Sequence, residues 1–201
     1  MAILSICIAT RNRAAFISET LLSIAPQLTE DVEIIVLDGA STDDTTQVIG
    51  NLQAHIPNLN YFRNETNGGV DRDYDEAVSK ATGDYCWLMS DDDLLKPGAV
   101  AAALSAIAKK PSLIVTNAEL RNLDFSRLID ERRLLLSSDR EYPADQLESF
   151  FLDISAYLTY IGAVIIDRAL WQARERTSYY GSYFIHVGVI FQAPLPQGVI
   201  V

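Results

Sequence analysis

The chain is expected to fold as one α/β domain, with a mostly parallel central sheet and helices on both faces. Three observations carry that expectation. Apolar runs rich in β-formers alternate with amphipathic helical stretches through residues 1–117, the rhythm of βαβ units. Four of those runs lead into polar loops, and open α/β sheets gather ligand-binding groups at such strand ends. Finally, 201 residues, 49% of them hydrophobic, suffice for one sizeable core with a lobe added at its end.

The elements follow in order. "ILSICIA" (3–9) reads as a buried strand, and "RAAFISETLLSIA" as a helix with Ile17, Leu21, Ile24 and Leu28 on one face. "EIIVL" (33–37) is a second strand. After the turn "DGAS", a helix starts near Thr42 with Val48, Leu52 and Ile56 as its apolar stripe. "NYFRN" (60–64) is a third, short strand. The loop "ETNGGVDRD" then leads into a helix through "YDEAVSKAT", packed by Tyr74, Val78 and Ala81 and stopped at Gly83. "YCWLM" (85–89) suits a buried parallel strand, followed by an Ala-rich helix over 98–108 and the strand "SLIVTN" (112–117).

Beyond residue 118 the rhythm fails. "LRNLDFSRLIDERRLLLSSDREYP" reads as an irregular excursion or short hairpin, "ADQLESFFLD" as a helix, "GAVIID" (162–167) as a strand and "RALWQARER" as a short helix. The final stretch, "YFIHVGVIFQAPLPQGVIV", is apolar to its last residue, where a surface tail would be polar. The chain is therefore expected to stop inside a longer protein.

Charge and cysteine content narrow the class. A net charge of −11 with no basic stripe argues against a nucleic-acid polymer as partner. A nucleotide remains compatible, given a metal or local arginines for its phosphates. Cys7 and Cys86 both fall in strand-like runs and read as buried free thiols in a reducing compartment. No basic n-region marks a signal peptide, and no stretch approaches the ~18 apolar residues of a membrane span. A cytoplasmic location is expected, with peripheral contact at the inner face of a membrane left open.

The polar loops are "TRNR" (10–13), "DGAS" (38–41), "NGGVDRD" (67–73) and "SDDD" (90–93). Each has an ordinary reading beside a functional one. Thr10 could cap the first helix, Asp38 could be a turn residue, and Asp71, Arg72 and Asp73 could form a solvated face. Asn67-Gly68-Gly69 is turn chemistry that also lets a backbone approach a ligand closely. Asp91, Asp92 and Asp93 are harder to explain. Capping accounts for Asp93, ahead of the helix that Pro97 opens, but three adjacent carboxylates repel. A divalent cation held by oxygen ligands would relieve that repulsion and bring in a phosphorylated substrate.

As a set, these loops resemble the nucleotide-sugar-binding half of family-2 glycosyltransferases, which have the GT-A (nucleotide-diphospho-sugar transferase) fold. "ATRNR" fits the opening pattern at Ala9–Arg13. "DGASTD" matches Asp-Asp-Gly-Ser-Thr-Asp with Asp38 kept and Gly39 in place of the second acid, which leaves base preference open. "NGG" matches the third signature, with Tyr74-Asp75 where many members carry Arg-Asn. "SDDD" matches the metal motif with Ser90 in the first acidic place. "GGVDRDYD" and "YCWLMSDDDLL" are most similar to the abequosyltransferase-like branch, which adds sugars to bacterial surface polysaccharides such as lipopolysaccharide.

The resemblance implies a nucleotide-sugar-binding half at 1–117 and an acceptor-side half at 118–201, together one domain. It places Asp92 on a divalent cation, Mn²⁺ or Mg²⁺. Asp91 would meet the ribose, or the cation through water, and Asp93 would cap the next helix. Ala9, Thr10, Arg11, Arg13, Asp38, Gly69, Asp71 and Arg72 are the other expected nucleotide contacts. The implied reaction is inverting transfer of a sugar from a nucleoside diphosphate to a glycan or polyprenyl-linked glycan. The segment expected to supply the general base contains no acid, so His186 is the candidate, with Asp167 as the acidic fallback. A non-catalytic sugar-nucleotide or glycan-binding module and a sugar nucleotidyltransferase are the competing readings. Donor sugar, base, acceptor and oligomeric state are not legible in the sequence.

Overall fold

Strand β1 (Leu4–Thr10) is buried along its whole length, because helices cover the sheet on both sides. Leu4, Ile6 and Ile8 face one core; Cys7 and Ala9 face the other. The computed structural model describes residues 2–122 and 124–201. Met1 and Leu123, which fall in the expected nucleotide-binding half and the expected excursion, lie outside the described residues.

β1 pairs in parallel with β2 (Val32–Asp38) and with β4 (Tyr85–Met89), and β2 pairs in parallel with β3 (Leu59–Arg63). The crossovers are α1 (Ile17–Ile24), α2 (Thr45–Gln53) and α3 (Val70–Lys80). α4 (Ala99–Ile107) leads to β5 (Leu113–Val115). A two-stranded hairpin of β6 (Leu120–Arg121) and β7 (Leu128–Asp130) follows, then β8 (Glu141–Tyr142) and α5 (Leu147–Ile154). β9 (Val164–Asp167), α6 (Arg168–Ala173), α7 (Ile185–Phe191) and β10 (Val199–Ile200) complete the chain. The main sheet has eight strands in the order β3-β2-β1-β4-β9-β5-β10-β8. It is mostly parallel, with β9 antiparallel to both β4 and β5 and β8 antiparallel to β10.

One core lies between the sheet and α1, α2 and α4, and includes Ile17, Ile49 and Val100. The other lies beneath α3, α5, α6 and α7, and includes Val78, Phe150, Trp171 and Val189. Both cysteines are fully buried and free, as expected, and burial pushes the Cys7 thiol up. Among the described residues, no helix is long and apolar enough to cross a membrane.

Three expectations need correction. Thr45 and Ile49 are the buried positions of α2; of the expected stripe, Ile56 is buried just past the helix while Val48 and Leu52 are half-buried against the same core, so the stripe is turned slightly from the expected one. Asp93 does not cap α4; Gly98 holds that place with φ +86°, and the Asp93 carboxylate accepts from Tyr160 Oη at 2.9 Å instead. Asp167 pairs with Tyr85, the first residue of β4, because β9 runs antiparallel. It therefore lies at the opposite end of the sheet from Asp91–Asp93 and caps α6 through Leu170 N at 2.8 Å. The acidic fallback for the base is removed by strand direction.

Candidate active site

The carboxyl ends of β1, β2 and β4 form one rim, and hydrogen bonds stitch its loops together. Gly39 N–H donates to Thr10 O at 2.9 Å, Asn12 N–H to Ser41 Oγ at 2.9 Å, and Arg13 N–H to Thr45 Oγ1 at 2.9 Å. Asn12, with φ +56°, returns its side-chain oxygen to Thr42 N–H at 2.7 Å. Thr10 therefore does not cap α1; its hydroxyl is buried beside Asp91. Ala9 is buried in β1, and Arg11 points into solvent.

Arg13 reaches from the first loop to the acidic run. Its guanidinium lies 3.0 Å from Asp92 Oδ2 and 3.3 Å from Asp91 Oδ1, and packs 5.2 Å over the Phe16 ring. Asp92 Oδ1 accepts from Ser90 Oγ at 2.5 Å. Asp91 is buried, and burial pushes its carboxyl up against the opposing pull of Thr10 and Arg13. Burial raises the Asp93 carboxyl too, with Tyr160 opposing. A cavity of about 1800 Å³ opens from Arg13, Asp92 and Asp93 toward Thr116, Asn117 and Tyr160.

The oxygen-only set of Asp91, Asp92 and Ser90 suits a hard divalent cation. Such ions commonly take one or two carboxylates and complete their shell with substrate phosphates and water. Among the described residues, no group of three or more His, Cys, Asp or Glu is placed to hold a metal without substrate. Half-exposed Asp92 is the carboxylate that would hold such a cation, with substrate phosphates and water completing its shell.

Two predicted contacts already have full sets of partners. Asp38 is completely buried; Oδ1 accepts from Ser41 N at 2.7 Å and Oδ2 from Tyr61 Oη at 2.7 Å, with Arg63 Nε 3.8 Å away. Asp71 is 3% exposed and accepts three backbone N–H groups, from Gly181 at 2.9 Å, Tyr183 at 2.8 Å and Ile185 at 3.1 Å. It pins the loop that enters α7. Arg72 is exposed and pairs with Glu76 at 3.0 Å. Gly69 starts α3 with φ +90°, a conformation that only glycine adopts without cost.

His186 is 1% exposed on α7. Its Nε2 lies 2.7 Å from Leu158 O, and a carbonyl can only accept, so the hydrogen sits on Nε2. Burial lowers its pKa and keeps the ring neutral. Nδ1 is then a buried lone pair without a partner among the described residues. The ring does not line the cavity beside Asp92.

Sequence reasoning missed Tyr61, Arg63 and Asn64, which surround Asp38 and Asp73, and Tyr160, which holds Asp93. The signal for the first three was their place at the end of β3, the strand next to the "DGAS" turn. Tyr160 carried none, being 67 residues from its partner.

Solved structures share this architecture. S. aureus TarS 1–349 superposes with a TM-score of 0.76 over 99% of this chain and 58% of its own, at 19% identity. The mannosyltransferase PcManGT of Pyrobaculum calidifontis, solved with GDP-Man and Mn²⁺, superposes at 0.66 over 98% of this chain and 56% of its own, at 15% identity. The sheet and these likenesses define a GT-A fold.

The glycosyl transferase family 2 model matches residues 5–168, and the chain belongs to that family. The abequosyltransferase RfbV of Salmonella typhimurium is 30% identical over 207 aligned residues, covering 96% of this chain and 62% of its own length. The GalNAc(5)-diNAcBac-PP-undecaprenol beta-1,3-glucosyltransferase of Campylobacter jejuni is 33% identical over 102 residues, covering 50% of this chain and 33% of its own. The chain thus spans less than two thirds of the length of either relative.

Proposed function

We propose that this chain transfers a sugar, with inversion, from a nucleoside-diphosphate sugar to a glycan or polyprenyl-linked glycan during bacterial surface polysaccharide synthesis. The observation that carries this reading is the meeting of Arg13 with Asp91 and Asp92 at the ends of β1 and β4, at the mouth of the large cavity. A guanidinium beside two carboxylates can hold a diphosphate on one side and a cation on the other. The names of the relatives support the substrate class: an abequosyltransferase and a glucosyltransferase of an undecaprenol-linked glycan. Action in the cytoplasm, at the inner face of the membrane, follows as part of the same proposal.

The chemistry is leaving-group departure followed through by a hydroxyl. A bound cation supplies Lewis-acid stabilisation of the departing diphosphate. Arg13 orients the phosphates and adds positive charge where negative charge grows. Half-exposed Asp92, beside Arg13, would hold the cation, and buried Asp91 would meet the ribose or the cation through water. The cavity beyond Asp93 and Tyr160 receives the acceptor. His186, whose Nδ1 has no partner among the described residues, serves as the proton acceptor only if α7 opens toward the acceptor, because the ring is 1% exposed and lies outside the cavity lining.

The test is a transfer assay on the whole chain. Donor sugars on UDP, CDP, dTDP and GDP are offered with a lipid-linked glycan acceptor, with and without Mn²⁺ or Mg²⁺. Metal-dependent release of diphosphate with matching glycan product supports the reading. Nucleotide binding without turnover would reassign the chain as a binding module, and release of pyrophosphate with sugar nucleotide formed, when a nucleoside triphosphate and a sugar 1-phosphate are offered, would reassign it as a nucleotidyltransferase.

A further inference from the structure

We propose that Asp73 is the residue by which this chain discriminates among nucleobases, its Oδ2 meeting the polar edge of a base seated at the turn of residues 38–41. The inference rests on the donor reading above and adds a residue to it.

Four buried aspartates lie at this rim: Asp38, Asp71, Asp73 and Asp91. Three have strong partners. Asp38 holds Ser41 and Tyr61, Asp71 holds three backbone N–H groups, and Asp91 faces Arg13. Asp73 is the exception. It is 3% exposed, yet its only side-chain hydrogen bond among the described residues is a long one, from Asn64 Nδ2 to Oδ1 at 3.3 Å. Its Oδ2 has no hydrogen bond among the described residues. This oxygen is not among the fully buried side-chain atoms that lack a partner, so it keeps contact with solvent and stays open to a ligand.

Gly39 shows where that free oxygen points. A Cβ at Gly39 would stand 2.3 Å from Asp73 Oδ2 and 3.2 Å from its Cγ. Positions 39 and 73 therefore share one space at the lip of the turn. An acid can enter it from the turn or from α3, but not from both. This chain carries no side chain at 39, and the carboxyl arrives from the first turn of the helix instead.

The surroundings suit recognition of a base edge. The charged groups facing Asp73 are Glu76, Asp38 and Arg72, and Arg72 is drawn to Glu76. Burial above all, then Glu76 and Asp38, push the Asp73 carboxyl up to about 6, with Asn64 and Arg72 opposing. Near that pH the group offers either an O–H or a lone pair. It can donate to a bare ring nitrogen or accept from a ring N–H, and bases differ in which of these they present.

The experiment is calorimetric titration of the whole chain with CDP, UDP, dTDP, GDP, ADP and inorganic pyrophosphate, with Mg²⁺, on either side of pH 6. Wild type is expected to favour one base by about tenfold or more, the scale of one good base contact, with a preference that changes across that pH range. Asp73→Ala should bring the nucleotides to within about threefold of one another, the preference lost with the contact, and leave pyrophosphate unchanged. The double variant Gly39→Asp/Asp73→Ala returns a carboxyl to the same space from the other side and should regain discrimination. If Asp73→Ala does not fold, the near-isosteric Asp73→Asn decides: an altered base ranking supports the inference, and an unaltered one overturns it. Unchanged ranking in folded Asp73→Ala, or equal loss of pyrophosphate and nucleotides, would likewise overturn it while leaving the donor reading intact. Failure of wild type to bind any of the nucleotides would remove the donor reading itself, and this inference with it.

Discussion

Arg13 Nη2 lies 3.0 Å from Asp92 Oδ2, so a guanidinium stands where a divalent cation would approach that carboxylate. A cation at Asp92 would therefore compete with Arg13 until a diphosphate gave the guanidinium another partner. Arg13→Ala should bind Mn²⁺ alone more tightly than wild type, yet lose about tenfold or more in affinity for nucleoside diphosphates, as charge-assisted hydrogen bonds disappear. Asp92→Ala should lose metal-dependent nucleotide binding with the fold intact. Titration with Mn²⁺, with and without UDP, separates the two, and weaker Mn²⁺ binding by Arg13→Ala would refute the competition.

Asp38 is a structural anchor in this rim. Asp38→Ala leaves Ser41 N–H and Tyr61 Oη without their buried acceptor, and each unsatisfied group costs about 1–3 kcal/mol. Urea unfolding should show a loss of about 2–4 kcal/mol on that scale. A stability within 0.5 kcal/mol of wild type, roughly the effect of an ordinary surface substitution, would show that Asp38 is not an anchor.

Asp71→Ala should release the loop it pins. Hydrogen exchange at Gly181, Tyr183 and Ile185 is expected to accelerate strongly, with little change in β1 or β2. Protection unchanged at those three amides would mean that other contacts hold the loop.

His186→Asn keeps a donor for Leu158 O but removes the free lone pair of Nδ1. Transfer should fall by about 10²-fold or more with nucleotide binding preserved, the range expected for general-base catalysis. Transfer within a few-fold of wild type would leave His186 as a core histidine.

Stability should also depend on pH through Asp73. Its folded pKa, about 6, lies above the ordinary 3.8, so the folded state holds the proton more tightly than the unfolded chain. Its contribution is fully present below about pH 4 and is lost as pH rises through about 6. Asp73→Asn should flatten that part of the slope in urea titrations. Asp91 and Asp93, also raised by burial, act in the same direction and will leave some slope behind.

Much of this was legible in the sequence. The runs 3–9, 33–37 and 85–89 are strands because β-forming apolar stretches buried on both sides have few alternatives, and their polar ends do share a rim. Strand direction was not legible: "GAVIID" has the same composition whichever way it runs, and only its place between β4 and β5 shows that Asp167 faces away from the site. The state of each acid was equally hidden. Asp38 and Asp71 look as available as Asp73 on paper, but their partners lie up to 114 residues away, and those partners decide which acid keeps a free oxygen.

The acids of α3 have a practical consequence for anyone wishing to divide this protein. Asp71 takes its hydrogen bonds from residues 181–185, and Asp75 takes Trp171 Nε1 at 2.9 Å and Tyr180 Oη at 2.6 Å. A fragment cut after the donor-side strands would strip both aspartates of these donors. The two sequence halves are thus unsuited to separate expression. Chimeras that exchange acceptor preference between relatives should carry α3 together with residues 168–192 as one inherited block.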